Sequence, residues 1–600
     1  MADFANGGKI DPRATFTRAS TANVFNDAKH LSSDNLLLQS SDFDTTWTVN
    51  GLSGAPASGQ TDPSGGTDGF TLVEDSSTGV HRICQNVTAS GNLTLTVYAK
   101  QNSGTRYLTL SIVNTFNDWV GATYDLAGGS PSTGSGSSSS FSGLSATQTS
   151  SGNSYYKCVL SATGSMSDFA YIYLSDDTAV GSGGYGAKEF TGDGSSSIDL
   201  AFASLSTVGA TDYNATTTQI HREYAPSLVS KANNAARFET ATDGQSAGTS
   251  LGCLIESQAT SLVTYSEDFT NGAWVKARLS ASTASAVAPD GTLTANQLTV
   301  DGTASNTHSF YFDYTTGGAT AQTVSFFVKA GTLSWLQVRF SNTNSAFTDS
   351  WANYNLSTGA IGTISGGVTA STSSCGNGWY RIVATQTALT NATGRIVVYT
   401  QQADNTRGYD GNSYDYLLIW GGQIEANQSF ASSYIKSNSG SATTRALDSL
   451  SVDLTQAGYT GGPVSVITET TDGQGSYPRT FSLSDGTITN YANIHRNGAA
   501  TDTSSDYRVR LFTDGASQVN RTATGSASAT KIGVSIDTNS VISTFDGGSS
   551  ATDSSAVINT MTELRIGDQP TGGKQLNGTC KRISVYGTAL SQTELEALTS

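Results

Sequence analysis

Ser261–Trp274 reads SLVTYSEDFTNGAW, and a second copy of the pattern lies upstream at Asn35–Trp47, NLLLQSSDFDTTW. In both, an apolar run leads through serine and acidic residues to a phenylalanine and then to a tryptophan. Phe43 and Phe269 each stand eight residues after the first residue of their copy. Each copy opens a long stretch in which apolar and polar residues alternate, the period of a strand with one buried face. The landmarks that follow also repeat in order. VSFFVK (Val324–Lys329) matches LTVYAK (Leu95–Lys100), and WANYNLSTG (Trp351–Gly359) matches WVGATYDLAG (Trp119–Gly128). Asn377–Thr385 matches the segment around Tyr155, and the apolar strand Tyr414–Glu425 matches Ile198–Leu205. A repeat this long means tandem domains and excludes a solenoid of short units.

Composition agrees with an all-β protein. Charged residues make up 13%, Gly numbers 64, and short runs of Val, Ile, Thr, Tyr and Phe are bounded by Gly, Asn, Asp and Ser. The 600 residues suffice for about three or four domains. The expected class is tandem β-sandwich (jelly-roll) domains with one short C-terminal helix. The chain divides into a lead, 1–34, with one strand at Arg13–Ser20; a first module, 35–220; an irregular connector, 221–260, with a basic patch at His221, Arg222, Lys231 and Arg237; a second module, 261–436; and a terminal sandwich, 446–600. The Ser/Gly run Gly128–Gly143 reads as a flexible surface loop, and Ser437–Thr444 as a linker. Near the C-terminus Ser591 and Glu594 have capping-box spacing, Leu590 and Leu595 are placed for a hydrophobic staple, and Leu595 with Leu598 gives an inward face.

A net charge of −17 repels phosphate backbones and argues against nucleic acid as a partner. The five cysteines are far apart, odd in number and without CxxC, so they read as reduced, buried thiols. The first residues lack the apolar core of a signal peptide, and no run reaches the roughly 20 apolar residues of a membrane span. The expectation is a chain folded in a cytoplasm, without membrane insertion.

Three resemblances follow from these stretches. The opening pattern resembles the first strand of carbohydrate-binding-module jelly rolls of the galactose-binding-like type, which often begin NLL–N–DFE–W. RATFTRAST (Arg13–Thr21), together with ARFETATDGQSAGTSLGCLIES (Ala236–Ser257) and the SLVTYSEDF that follows, resembles a run in phage tail and virion structural proteins. In that family the two halves are close in sequence; here the first module separates them. It therefore reads as an insertion, with residues 13–34 and 221–260 meeting in space. CKRISVYGTALSQTELEALT (Cys580–Thr599) is similar to the end of concanavalin-A-like, laminin-G-like sandwiches. Together they imply a phage virion appendage protein, in a tail fibre or as a head decoration, that works with other virion proteins. Such proteins are commonly trimeric homo-oligomers, and the lead would be the docking piece.

Three chemistries fit that setting. Aromatic side chains could form a platform for host cell-surface glycan; Trp335, Trp351, Tyr354 and Tyr409 are the candidates, while Trp47, Trp274, Trp379 and Trp420 lie in strand patterns and read as core. The jelly-roll resemblance implies calcium where first and last strands pair: Asp42 or Asp44 near Asp199, and Asp268 near Asp415 or Glu425. Paired carboxylates among Glu267, Asp268, Asp410 and Asp415 would mark a glycan-cleaving tailspike. GQSAG (Gly244–Gly248) matches a nucleophile-elbow pattern but lacks the strand–turn–helix setting. His30, His81, His221, His308 and His495 are scattered and read as surface or interface residues. The expected function is glycan attachment without catalysis, with a ligand-free structural role and a depolymerase as alternatives.

Overall fold

A computed structural model describes residues 2–3, 14–209, 213, 215–242, 249–471, 473–497, 506–524 and 526–600, with the backbone alone at 2–3, 26–33, 221–226 and 549–552. Gly244–Gly248 lies outside the described residues. The chain forms tandem β-sandwich domains and closes on one α-helix, Gln592–Thr599. Among the described residues no helix is long and apolar enough to cross a membrane.

The second module is two six-stranded antiparallel sheets face to face. One runs Ile361–Ile364, Ser350–Asn355, Trp335–Ser341, Thr393–Gln401, Ser309–Thr315 and Val275–Ala277. The other runs Thr369–Gly376, Trp379–Thr387, Ala321–Ala330, Tyr416–Ala426, Ala295–Val300 and Leu279–Ala286. Alternation decides the inner faces: Leu336, Val338 and Phe340 enter the core with Ala352, Tyr354, Ile396 and Val398. Phe269 stacks on Trp274 at 4.7 Å and anchors that core. The first module repeats the same strand order in both sheets, with Phe43 against Trp47 at 5.2 Å. Even the irregularity repeats. The last long strand bulges at Gly421 in the second module and at Phe202 in the first, both with positive φ. Phe202 accepts that left-handed conformation while its ring stacks on Tyr213 at 4.6 Å.

The first module enters and leaves through a two-stranded ribbon. Ala22–Asn35 pairs antiparallel with His221–Lys231, from His221 opposite Asn35 to Lys231 opposite Ala22. The base of the ribbon lies on the second module, where Leu228 joins Phe327, Trp420 and Tyr434. The ribbon strands have little apolar alternation, so neither the lead nor the connector reads as a long strand on its own. Gly128–Gly143 also differs from a free loop: Ser132–Ser135 adds an edge strand against Val120–Thr123.

The terminal sandwich takes strands from far outside 446–600. Ala14–Thr17 pairs with Ser449–Asp453, Ser250–Ile255 pairs with Gly578–Tyr586, and Arg237–Thr240 extends that sheet. Ala2–Asp3 also pairs with the strand Gly578–Tyr586. Phe16, Cys253 and Ile255 share one core with Leu450, Val466 and Phe481. The lead and the connector are thus structural strands of this sandwich, and residues 14–17 are built in where a free docking piece was expected. Cys253 and Cys580 face each other across adjacent strands as buried thiols, and burial pushes Cys253 up to about 12. The capping box forms at Ser591 and Glu594. The inward helix residues are Leu595 and Thr599, whereas Leu598 is 46% exposed, because the helix lies on the sheet through its other side.

One buried ion cluster ties these pieces together. Asp448 binds Arg237 and, at 3.2 Å, Arg18; Arg237 also meets Glu256 at 2.7 Å, and Arg445 lies 3.5 Å from Glu256. Ser433 donates to Glu256 through its backbone N–H (2.8 Å) and its hydroxyl (2.7 Å). Burial alone would raise the Glu256 carboxyl, but Arg445, Arg237 and Ser433 outweigh it and hold it at about 2. A carboxyl depressed on folding contributes stability that is full above its unfolded value and fades as pH falls toward the folded one. Urea unfolding is therefore expected to lose on the order of 3 kcal/mol as pH drops through that window. Glu256→Gln should start less stable and give a flatter profile; an unchanged slope would assign the acid sensitivity elsewhere.

Candidate functional site

The outer face of the second module's first sheet gathers large polar and aromatic side chains. Residues of one parity point there: Trp335, Gln337 and Arg339 on one strand, Trp351 and Asn353 on the next, Tyr399 and Gln401 on the third. Trp335, Trp351 and Tyr399 are half-buried, while Gln337, Asn353 and Gln401 are closed from solvent beneath them. Gln337 Nε2 donates to Asn353 Oδ1 (2.8 Å), whose own Nδ2 donates to Thr363 O (2.7 Å). Gln337 Oε1, both polar atoms of the Gln401 amide and Trp351 Nε1 have no hydrogen-bond partner among the described residues.

The loop 402–415 borders this face. Arg407 from that loop lies 5.4 Å from the Trp351 ring and 5.6 Å from that of Tyr399. Arg339 holds Asp349 through two bonds (2.7 and 2.8 Å) and donates to the Tyr399 hydroxyl (3.1 Å). Gly362 admits the Trp335 ring: a Cβ there would meet a ring carbon at 2.6 Å. The result is a half-exposed aromatic surface with the Arg339 and Arg407 guanidinium groups beside the rings, suited to a ligand rich in hydroxyls.

Of the four expected platform residues, Trp335 and Trp351 lie on this face. Tyr354 does not: it has the opposite parity from Trp351, is buried in the core, and donates to Val383 O at 2.7 Å. Tyr409 is also buried, with its hydroxyl at 2.7 Å from Thr400 and its ring at 4.7 Å from His308. Tyr399, Gln337, Gln401 and Arg407 were missed. The signal available was the run WLQVR, where the solvent side of the alternation carries Trp, Gln and Arg in place of Ser and Thr.

The acidic candidates are dispersed. Asp199 accepts from Thr71 (2.6 Å) and meets Lys100 (3.5 Å), while Asp42 and Asp44 both accept from the Thr45 hydroxyl (3.1 and 2.9 Å). Asp268 caps its own turn through Thr270, and Glu425 is buried against Ser432 and Gln423. Asp410 accepts from Ser305 N (2.6 Å), and burial raises the Asp415 carboxyl above the usual range. Among the described residues no three His, Cys, Asp or Glu side chains come together to hold a metal. Asp199, Asp268, Asp410 and Glu425 take N–H, hydroxyl, amide or lysine donors, while Asp42 Oδ1 is buried without a hydrogen-bond partner among the described residues. Glu267 lines a cavity of about 430 Å³ at the ribbon base, but Tyr434 (2.9 Å) and Lys436 (2.6 Å) occupy its carboxylate.

His81, His308 and His495 are buried, contrary to the surface reading. His81 and His308 occupy matching places in the two modules. Each donates through Nδ1 to a backbone carbonyl, of Gly51 (2.5 Å) or Arg278 (2.8 Å), and each packs on an aromatic ring, Phe190 or Tyr409. The side chains of His30 and His221 lie outside the described residues.

In the first module the matching face is filled. Trp119, Tyr171 and Tyr173 lie buried with Cys84 and Val113 beneath Val180, Tyr185 and Ala187 of the loop 176–189. The two modules thus share a fold and differ in what the equivalent loop delivers.

No family model matches the chain, and no curated protein matches it. Among solved structures it is similar to the N-terminal CBM22-1–CBM22-2 tandem domain of Xyn10C from Paenibacillus barcinonensis, with 12% identity over 66% of this chain and 98% of that one, at a TM-score of 0.19. A TM-score this low carries no argument about function.

Parity separates platform from core in a testable way. Tyr354→Ala should destabilise the second module by about 3–5 kcal/mol, the range for emptying a large aromatic site. Trp351→Ala should cost about 1 kcal/mol or less. Calorimetry of the full chain compares the two, and equal losses would place Trp351 in the core.

Proposed function

We propose that this chain is a glycan-binding adhesin of a phage virion, and that the outer face of the second module makes the contact. The observation that carries this reading is the cluster of half-exposed rings, Trp335, Trp351 and Tyr399, with the Arg407 guanidinium 5.4 Å from the Trp351 ring and 5.6 Å from that of Tyr399. Sugar hydroxyls both donate and accept, and the C–H faces of a sugar ring stack on indole. A glycan would stack on these rings and offer its hydroxyls to the Arg407 guanidinium beside them.

The virion setting is supported by the segments that resemble phage structural proteins. They supply Ala14–Thr17, Arg237–Thr240 and Ser250–Ile255 of the terminal sandwich, and with them Arg18, Arg237 and Glu256 of the buried cluster. That framework carries the second module and, on its ribbon, the first. In a tail fibre the chain would be one copy of a homo-oligomer, a trimer by the family's habit, docked to other virion proteins. Each weak sugar contact then gains from its neighbours by avidity. The reading is binding without cleavage; of the acids that could pair for hydrolysis, Glu267 is taken by Tyr434 and Lys436 and Asp410 by Ser305. The first module, with its equivalent face filled by its own loop, serves as a structural extension.

Presenting the full chain to an array of bacterial surface glycans tests this. The wild type should retain a subset, and Trp351→Ala and Trp335→Ala should each weaken retention about tenfold or more while the fold is kept. Absence of binding across the array would favour a purely structural tail or head-decoration protein. Shortening of a host polysaccharide on incubation would favour a depolymerase.

A further inference from the structure

The terminal sandwich has a polar face of its own, on the sheet that includes Arg479–Ser484, Tyr491–Arg496, Tyr507–Thr513 and Ala516–Thr522. Ala492, Ile494, Val509 and Leu511 point inward. The opposite parity sends His495, Arg508 and Arg510 outward, with Arg479 in register with His495 and Arg508 in register with it on the other side. In a chain of net charge −17 this is an inversion of sign.

Arg479, Arg508 and Arg510 have no ion-pair partner among the described residues; Arg565, on the neighbouring strand Glu563–Ile566, is taken by Glu563 (3.1 Å) and Asp568 (3.3 Å). Among the described residues the Arg508 and Arg510 guanidinium groups donate to Thr522 and Asn520, each at 3.4 Å. Arg479 is buried, and its Nε has no acceptor. Burial and the neighbouring Arg510 lower its guanidinium to about 10. His495, in the middle, is held neutral by burial and by the three arginines, with its value lowered to about 2. Arg508 and Arg510 are half-exposed and Arg479 lies buried behind them, and among the described residues no carboxylate pairs with any of the three. Beside Arg510, Tyr491 and Phe512 stack at 4.9 Å and 9°, both half-exposed.

Three arginines converge with aromatic rings at their edge. Guanidinium groups match carboxylate and sulfate oxygens by paired hydrogen bonds, and the rings match sugar C–H faces. We propose that this face of the terminal sandwich is a second saccharide site, one that takes acidic glycans bearing carboxylate or sulfate groups. Nucleic acid fits less well. A duplex carries one charge per about 1.7 Å, and its phosphates would meet the negative field of the rest of the chain. The charges of an acidic glycan are sparse enough to be met by a few arginines. This site is independent of the second-module face.

Biolayer interferometry with the full chain on immobilised polygalacturonate, dextran sulfate, dextran and duplex DNA tests the assignment. At least one of the two acidic polymers should bind, neutral dextran should not, and added salt should weaken the binding. Whether polygalacturonate or dextran sulfate binds better distinguishes carboxylate from sulfate. R508S/R510S should lower the affinity about tenfold or more, with near-ultraviolet circular dichroism unchanged. Arg510→Gln, which keeps a donor to Asn520, should give a smaller loss and serves if the double variant misfolds. K188S/K581S removes the same charge elsewhere and should leave binding intact. The proposal falls if neither acidic polymer binds, if R508S/R510S binds as the wild type does, or if DNA binds through the same arginines more tightly than either polymer.

Discussion

Asp448 is closed from solvent and sits between Arg18 and Arg237, which come from opposite sides of the inserted first module. Glu256 answers from the strand that precedes the second module, Ser433 from the segment that ends it, and Arg445 from the chain leading into the terminal sandwich. Five stretches of chain, up to 430 residues apart, meet in one desolvated cluster. Such a cluster is a demanding way to join domains, because removing one member leaves buried charge behind, a loss of about 3–5 kcal/mol. It is also a selective one. The arginines and carboxylates pair only when the lead, the connector and both domain ends are in place together.

Around that junction, two modules of the same strand order present different surfaces. The strand order, the bulge in the last long strand and the buried histidine are common to both modules. What differs is a loop between matching strands. In the first module it brings Val180, Tyr185 and Ala187 and creates a second apolar layer; in the second it brings Asp404 and Arg407 and leaves the Trp335, Trp351 and Tyr399 rings half-exposed. Change is concentrated where it costs the frame little, since a loop over an outer face can be rewritten without touching the inner core.

Period-two alternation made the modules legible, because each strand buries one face and Phe43 and Phe269 fall at fixed distances from the start of each. It did not reveal the ribbon, whose long strands are polar and pair with each other. It also missed the strands lent to the terminal sandwich, since a short strand such as Ala14–Thr17 is recognisable only beside a partner more than 400 residues away. The candidate site was half legible. Aromatic residues drew attention to Trp335 and Trp351, but Tyr354, three positions beyond Trp351, has the parity of the core. The buried amides and the arginine face depend on neighbours from other strands, which composition does not convey.

The ribbon gives the first module a particular mechanical position. Both its strands run from the module toward the second module, so the chain leaves and returns at the same end. A pull on the first module is shared by the two strands as parallel tension, with no tendency to slide one along the other. The load then arrives at Arg18 and Arg237, which follow the ribbon base on either side and converge on Asp448. Force applied at the far end is thus delivered to the buried charges and to the edge strands Ala14–Thr17 and Arg237–Thr240 that the same arginines adjoin, making the junction a joint under tension as well as a fastening between domains.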